Sequence, residues 1–149
     1  LKIRRELAEK NPDAYLPDLA IGCNNLAILL RNTGSFKEAE ELYREALKIR
    51  RELAEKNPDA YLPDLAISCN NLAYLLSDIG SFKEAEELYR ESLKIRRNLA
   101  EENPKVYLPK LQLVCDNLTA LLEKTGRREE ADSLRREVAE FYQKQLAQQ

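Results

Sequence analysis

The sequence predicts an all-α solenoid of about seven helices, in which antiparallel helix pairs stack one after another. Two observations predict this fold class. The chain repeats itself every 46 residues, and it is rich in Ala, Leu, Glu, Lys and Arg, with only 4 glycines in 149 residues. One short unit cannot bury its apolar side alone, so repeated units must stack. The residue mixture favours helix over strand.

The repeat divides the chain into three units, residues 1–46, 47–92 and 93–138, and residues 139–149 continue the last helix. The first two units are identical at 40 of 46 positions, and the third is looser. No change of composition separates the units, so a single domain over 1–149 is expected. The chain contains no Met and opens inside a repeat, which suggests a fragment of a longer array.

Each unit is expected to hold two helices, called here helix A and helix B. Pro17 suits a first helical turn, so helix A is predicted to start near Leu16 and to end before Gly34. The preceding Pro12–Tyr15 stretch is then a short connection or a single turn. Helix B is predicted over 36–56, ended by Asn57-Pro58. The same signals predict helices over 62–78, 82–102, 108–124 and 128–146, after a truncated helix over 1–10.

Apolar spacing predicts which side of each helix is buried. In helix A the stripe is Leu19, Cys23, Leu26, Leu30 and Thr33. In helix B the buried side is Phe36, Ala39, Leu42, Tyr43, Ala46, Ile49 and Leu53. Ser35 and Glu38 form a capping-box pattern at the start of helix B.

The third unit carries Arg128 and Arg135 where the other units carry phenylalanine and tyrosine. A charged outer side is what the end of an array needs for solubility. We therefore expect the last helix to be a true end, and the Leu1 end to be a cut.

The three cysteines, Cys23, Cys69 and Cys115, lie one per unit in apolar helix patterns. An odd number without a secretory pattern argues against a disulfide framework. Buried thiols are the favoured interpretation, and a metal or redox role is the alternative. The chain has no histidine, the usual metal and acid–base partner.

The composition also bounds the function. A net charge of -2 argues against a nucleic-acid or anionic-membrane surface. The sequence contains no run of eighteen apolar residues, so no membrane span is predicted. Without histidine, a Gly-rich phosphate loop or a nucleophile with a base at motif spacing, we expect neither an enzyme nor a cofactor. The absent signals and unpaired cysteines predict a cytoplasmic location.

Asparagine in the middle of helix A is a candidate for partner binding, because mid-helix Asn carries a propensity cost of about 0.5 kcal/mol. An amide can donate to and accept from a bound chain. The alternative is an Asn that bridges neighbouring helices, and this is favoured for the third unit. The candidates are Asn24, Asn25, Asn70, Asn71 and Asn117.

The differences between the first two units point to the same helix. Of the six, three lie at spacings i, i+3 and i+4 on helix A, which places them on one side. They are the pairs Ile28/Tyr74, Arg31/Ser77 and Asn32/Asp78. A partner would be recognised where near-identical copies differ, although a solvated surface would also be free to vary. Tyr74 is the favoured anchor, because Tyr is enriched at binding hot spots. The charged runs KIRRELAEK and KEAEE are predicted to be solvated.

The stretch NNLAYLLSDIGSFKEAEELYRESL resembles a tetratricopeptide repeat, in the longer form found in the kinesin light chain and in many bacterial regulatory proteins. Aligned on Gly80, the signature positions are Cys69, Leu72-Ala73, Leu76, Ala85, Tyr89, Ser92 and a late Pro104. The cysteine replaces a large aromatic, and the period is 46 instead of the usual 34. The resemblance implies a right-handed superhelix whose A helices line a concave groove. The family's groove asparagine, which grips peptide backbone, matches Asn25, Asn71 and Asn117.

The sequence thus predicts a scaffold that binds a protein or peptide segment along its A helices, without catalysis. The alternative is a structural spacer or self-assembling array, with self-association through the truncated N-terminal helix. Exposed apolar residues such as Ile28 and Tyr74 would favour the scaffold. Exposed Leu1, Ile3 and Leu7 would favour self-assembly.

Overall fold

The structure, a computed structural model, describes residues 1–148. Within them the chain forms seven helices, and each helix packs mainly against its neighbours in sequence. The arrangement is an all-α solenoid, as the repeat predicts. The helices are α1 Lys2–Lys10, α2 Pro12–Asn32, α3 Phe36–Lys56, α4 Pro58–Asp78, α5 Phe82–Glu102, α6 Pro104–Lys124 and α7 Arg128–Ala147.

The A helices begin four residues before their predicted start. Asn11 is the N-cap of α2 and Pro12 is its first residue, so the predicted connection over Pro12–Tyr15 is helical. Pro17 lies inside the helix rather than in its first turn. A single residue therefore joins each B helix to the next A helix. A proline at the first helical position costs nothing, because its missing N–H would have had no partner there.

The turn from helix A to helix B is a Schellman motif in every unit. Gly34 has a φ of 88°, its N–H donates to the Arg31 carbonyl, and the Ser35 N–H donates to the Leu30 carbonyl. These bonds satisfy carbonyls at the end of helix A, and the positive φ explains the glycine. The same pattern recurs at Gly80 and Gly126.

The predicted capping box does not form. Ser35 and Ser81 occupy the N-cap positions of α3 and α5, but neither side chain makes a capping hydrogen bond. Each serine is already the second residue of the Schellman motif, which sets its backbone at φ near -86° and ψ near 65°. This backbone differs from the β-region geometry from which a serine hydroxyl usually caps a helix.

The core follows the predicted stripes in the middle of the array. Tyr43, Leu72, Leu76 and Tyr89 are almost fully buried in one cluster that reaches from α2 to α7. Three predictions for the first unit are wrong, because Leu26, Thr33 and Phe36 are exposed. For Leu26 the reason is its place at the N-terminal end, where no complete preceding helix B covers it.

Phe36 lacks a partner that its counterpart has. The equivalent Phe82 is partly buried, and the Lys124 ammonium lies 5.2 Å from its ring centroid. For Phe36 the residue that corresponds to Lys124 is Asp78 of the second unit, which is an anion and gives no cation–π contact.

Candidate functional site

The exposed side of the A helices forms one continuous surface, here called the A-helix face. In α2 it consists of Ile21, Asn25 and Ile28, at spacings of 4 and 3 residues. The equivalents are Ile67, Asn71 and Tyr74 in α4, and Leu113, Asn117 and Ala120 in α6. The face therefore has an apolar row, an asparagine row and a row that differs in every unit.

Side-chain amides link successive A helices across this face. Asn71 Nδ2 donates to Asn24 Oδ1 at 3.0 Å, and Asn117 Nδ2 donates to Asn70 Oδ1 at 3.1 Å. Asn24 and Asn70 are buried acceptors, so they offer little surface to a partner. The bridging role that the sequence left open is present for Asn71 and Asn117. Asn25 is exposed and makes no such bridge within residues 1–148.

The bridge uses only one of the hydrogen-bonding positions of each donor amide. The side chain of an Asn has two N–H donors and an oxygen with two lone pairs. Neither Asn71 nor Asn117 uses its oxygen in a side-chain bond within residues 1–148. Each amide is thus held in one orientation, with an oxygen and one N–H left for a bound chain.

Four of the predicted residues line one depression of about 200 Å³ between α4 and α6. They are Tyr74, Ser77, Asp78 and Asn117, joined by Ala120 and Lys124 from α6. Tyr74 is 42% exposed, so its ring is accessible to a partner. The depression combines an aromatic ring, an amide and charges of both signs.

Tyr74 is held from the neighbouring unit by Arg31. The guanidinium carbon lies 4.7 Å from the centroid of the Tyr74 ring, and Arg31 Nη2 donates to Asn32 Oδ1 at 3.2 Å. A cation over an exposed aromatic face contributes about 0.5–1 kcal/mol. The predicted residues of the first two units, Arg31, Asn32 and Tyr74, are therefore brought together.

Tyr89 forms the buried wall of the depression. Burial raises the pKa of its hydroxyl above the ordinary value, and the nearby Tyr74 hydroxyl and Asp78 carboxylate raise it further. The hydroxyl stays protonated and can donate a hydrogen bond at neutral pH. The sequence placed this tyrosine in the core and did not indicate its contribution to the depression.

The apolar row of the A-helix face was not predicted. Ile21 and Leu113 are strongly exposed and Ile67 is half-buried. The signal was present in the sequence, because all three occupy the same position of the unit and lie four residues before the asparagine row.

A second, larger groove lies at the opposite ends of the helices, where α4 begins and α5 ends. It has a volume of about 790 Å³, and its lining includes Leu62, Ile95, Leu99 and Tyr107. The α4 part of its lining is identical in the first unit, unlike the residues around Tyr74.

The arginine pairs that were predicted to be solvated take two different positions. Arg50 and Arg96 are buried, and each donates to a carbonyl of the next A helix, of Asp64 at 3.4 Å and of Lys110 at 3.0 Å. Desolvation lowers the pKa of both guanidinium groups. The second arginine of each pair reaches the next B helix, as in the Arg51–Glu91 pair at 2.6 Å between α3 and α5.

The cysteines have the properties of buried thiols. Cys23, Cys69 and Cys115 are free and fully buried, and burial raises the pKa of their thiols to about 11, about 12 and about 11. Thiols with these pKa values are protonated and unreactive at neutral pH. Within residues 1–148, no group of three His, Cys, Asp or Glu side chains could hold a metal ion. No helix of this region has both the length and the apolar character needed to cross a membrane.

Comparison with known proteins gives two matches of different kinds. The model of the tetratricopeptide repeat family matches residues 24–98. The crystal structure of BtubC (BKLC) from P. vanneervenii is similar over 96% of this chain, with a TM-score of 0.66 and 30% sequence identity. The alignment covers 53% of BtubC, so the chain spans about half the length of that protein. No curated protein matches the chain.

The matched segment contains the asparagine row of the first two units, the Schellman turns at Gly34 and Gly80, and most of two B helices. Tetratricopeptide repeats are a non-catalytic repeat family whose members generally serve as scaffolds for protein interaction. The family model covers half of the sequence, and the helices repeat with the expected turn chemistry throughout. The chain therefore belongs to the tetratricopeptide repeat family.

Proposed function

We propose that this chain binds a peptide or protein segment on its A-helix face and does not catalyse a reaction. The observation that carries the proposal is the depression at Tyr74, where the residues that differ between near-identical units lie together. The family supports binding in general, and the chemistry of the face supports this particular surface.

Two kinds of contact are available to the partner. Ile21, Ile28 and Leu113 offer exposed apolar surface, which stabilises a complex by about 25 cal/mol per Å² buried. The free oxygen and N–H of Asn71 and Asn117 suit the backbone of an extended segment, which offers donors and acceptors in alternation. The partner is thus expected to present apolar side chains along an exposed backbone.

Selection from a displayed peptide library tests this proposal. The wild-type chain is the target, and the variant Ile28→Ala/Tyr74→Ala is the counter-target. Both side chains are exposed, so the variant should fold normally. Asn71→Ala is a poorer choice, because it would also leave the buried Asn24 oxygen without its bond.

The matched control is Ile3→Ala, which removes an exposed apolar side chain on α1, away from the A-helix face. We expect selected peptides to lose at least tenfold in affinity for the double variant and to bind the control as they bind the wild type. Peptides that bind all three proteins equally would place the site elsewhere and contradict the proposal.

The alternative function, a spacer or self-assembling array, is supported at the N-terminal end only by Ile3 of α1, which is 72% exposed. Leu1 and Leu7, which were expected to be exposed in such an array, are half-buried. Sedimentation over a wide concentration range would distinguish this function, because self-assembly requires a mass that rises with concentration.

A further inference from the structure

The A-helix face carries charges whose sign changes between α4 and α6. Three residues before the apolar row, α4 has Asp64 and α6 has Lys110. Four residues after the row of Tyr74, α4 has Asp78 and α6 has Lys124. These spacings place all four side chains on the side of each helix that carries the asparagine row. The face is thus acidic along α4 and basic along α6.

These four charges are available to a partner. Asp78, Lys110 and Lys124 are exposed, and Asp64 is half-buried. None of the four takes part in an ion pair within residues 1–148, although ten ion pairs join other side chains there. The charges of the A-helix face therefore keep their attraction for a group of opposite sign.

Two of the charges stand on opposite walls of the depression at Tyr74. Asp78 belongs to the α4 wall and Lys124 to the α6 wall, and they do not pair with each other. A bound segment displaces water from both side chains. Displacing this water costs free energy unless the segment supplies a cation for Asp78 and an anion for Lys124.

The buried arginines behind the face strengthen the contrast between the two helices. Arg50 donates to the carbonyl of Asp64, and Arg96 donates to the carbonyl of Lys110 at the equivalent position. Desolvation lowers the pKa of both guanidinium groups, and the Asp64 carboxylate partly offsets this for Arg50. In α6 the equivalent residue is Lys110, which adds a second positive charge instead of compensating the first.

We propose that the partner is a segment with a basic residue that lies over α4 and an acidic residue that lies over α6. Neighbouring helices pack about 8–10 Å apart, and an extended chain advances about 3.3 Å per residue, so about three residues separate the two charges. This inference rests on the proposed function, because it assigns the chemistry of the partner on the same face.

The charge order gives the face a preferred orientation of its partner. A segment bound the other way would bring like charges together at both helices, and like charges at an interface suppress the wrong partner or the wrong register. Apolar contacts with Tyr74 and the apolar row do not distinguish the two orientations in this way. The charges thus decide the direction in which the segment crosses the face.

An exchange of charges between the two helices tests this inference. The variant is Asp64→Lys/Asp78→Lys/Lys110→Asp/Lys124→Asp, which leaves the net charge unchanged. Each new side chain already occupies the equivalent position of the other unit, so the helices should accept it. Circular dichroism checks the fold, and the half exchange Asp78→Lys/Lys124→Asp replaces the full variant if the latter unfolds.

Peptides are selected from an unbiased displayed library against the wild type and against the exchanged variant. The Ile28→Ala/Tyr74→Ala form of each target removes peptides that bind outside the A-helix face. We expect basic and acidic residues in one order along the peptides selected on the wild type, and in the opposite order on the variant. A wild-type peptide should bind the exchanged variant at least about tenfold more weakly, and this ratio should shrink at high salt.

The matched control exchanges the same number of exposed charges on the B helices. It is Lys37→Glu/Glu41→Lys/Lys83→Glu/Glu87→Lys, and all four residues are exposed. The control has the same net charge as the wild type and should bind the wild-type peptides unchanged.

The outcomes separate this inference from the proposed function. Inversion of the charge order on the exchanged variant, with the control unchanged, would establish the inference. The same order on both targets, or no order on either, would overturn it while the proposed function stands. If no selected peptide depends on Ile28 and Tyr74, the proposed function fails and the inference fails with it.

Discussion

At the scale of single residues, Gly22 shows how one substitution adjusts the junction between two units. Gly22 lies inside α2, where glycine costs about 1 kcal/mol relative to alanine. A Cβ at this position would lie 2.5 Å from Arg4 Nη1 and 2.8 Å from Leu1 Cδ2. In the second unit the same position is Ser68, which accepts a hydrogen bond from Arg50 Nη1 at 2.9 Å. The first unit has glycine at this position and therefore lacks this hydrogen bond.

We predict that Gly22→Ser stabilises the chain by about 0.5–1 kcal/mol, through helix propensity and an Arg4–serine hydrogen bond. Both close atoms are the ends of flexible side chains, and Arg4 is exposed, so they can move aside. Urea unfolding followed by circular dichroism measures the effect. Ser68→Gly is the reverse control and should destabilise by about 1 kcal/mol. A loss of stability in Gly22→Ser would show that Arg4 is fixed in place.

The buried thiols predict a dependence of stability on alkaline pH. The thiols of Cys23, Cys69 and Cys115 have raised pKa values of about 11, about 12 and about 11, against 9.0 in an unfolded chain. Above pH 9 the unfolded state releases protons that the folded state keeps, so the free energy of unfolding falls as pH rises. The stabilisation is fully present below pH 9 and is lost as pH rises toward 11–12.

We expect each thiol to contribute a slope of up to about 1.4 kcal/mol per pH unit between pH 9 and its folded pKa. Urea unfolding at several pH values from neutral to 10.5 measures the total slope. In Cys69→Ala the slope should be smaller by the contribution of one thiol, which is up to about 1.4 kcal/mol per pH unit. Burial also raises the pKa values of Tyr43 and Tyr89, but both tyrosines are present in the two proteins and cancel in the comparison. Identical slopes would contradict this account.

At the scale of helices, the asparagine bridges bind each A helix to the next one. Asn71 and Asn117 donate, and Asn24 and Asn70 accept, so that every bridge joins residues 47 apart. The B helices are joined in parallel by ion pairs between residues 40 apart, such as Arg44 with Glu84 and Arg90 with Glu130. Because these pairs are about 40% exposed, each contributes about 0–1 kcal/mol. The bridges between partly buried amides hold the A helices more firmly.

We predict that Asn71→Ala and Asn25→Ala affect stability differently, although the two residues occupy the same position of the unit. Asn25→Ala loses no bridge and should gain about 0.5 kcal/mol in helix propensity. Asn71→Ala gains the same propensity but leaves the buried Asn24 oxygen without its bond, at a cost of about 1–2 kcal/mol. Chemical unfolding of both variants measures this difference, and equal stabilities would mean that the bridge has no energetic role.

At the scale of the whole molecule, packing is strongest in the middle and weakest at the N-terminal end. The larger core cluster is centred on α4, α5 and α6, whereas α1 contributes little more than Ala8 to the smaller one. In a repeat array each unit is stabilised mainly by its neighbours, so a unit with one neighbour opens more readily than a unit with two. At the C-terminal end, Arg128 and Arg135 stand where the other units carry phenylalanine and tyrosine, so this end is charged. Arg135 pairs there with Asp132 and Glu123.

We predict that amide hydrogen exchange is fastest in α1 and in α2, and slowest in α4 and α6, because local opening tracks buried apolar contact. Mass spectrometry of peptic fragments measures the order. Leu72→Ala, which should cost about 3 kcal/mol, is expected to raise exchange across the whole middle of the array. Uniform protection in the wild type would indicate that the array unfolds as a single unit.

The repeat, the glycine positions and the Asn-Pro pairs were enough to predict the helix count, the turns and the ends of the B helices. The starts of the A helices were missed because Asn-Pro ends one helix and begins the next, and only the single residue Asn11 separates them. Contacts between units could not be derived, since they depend on how far each unit is displaced in space. Arg50 illustrates this: its charge predicted solvent, but the next A helix covers it and supplies a carbonyl.

The constant offsets of 40 and 47 residues have a consequence for how such a chain can change its length. If residues 47–92 were removed, Arg44 would face Glu130 and Asn24 would face Asn117, which are the same types of bond that exist now. Insertion of another 46 residues would likewise repeat the existing bonds. A chain that gains or loses whole 46-residue units would therefore keep junctions whose residues already fit.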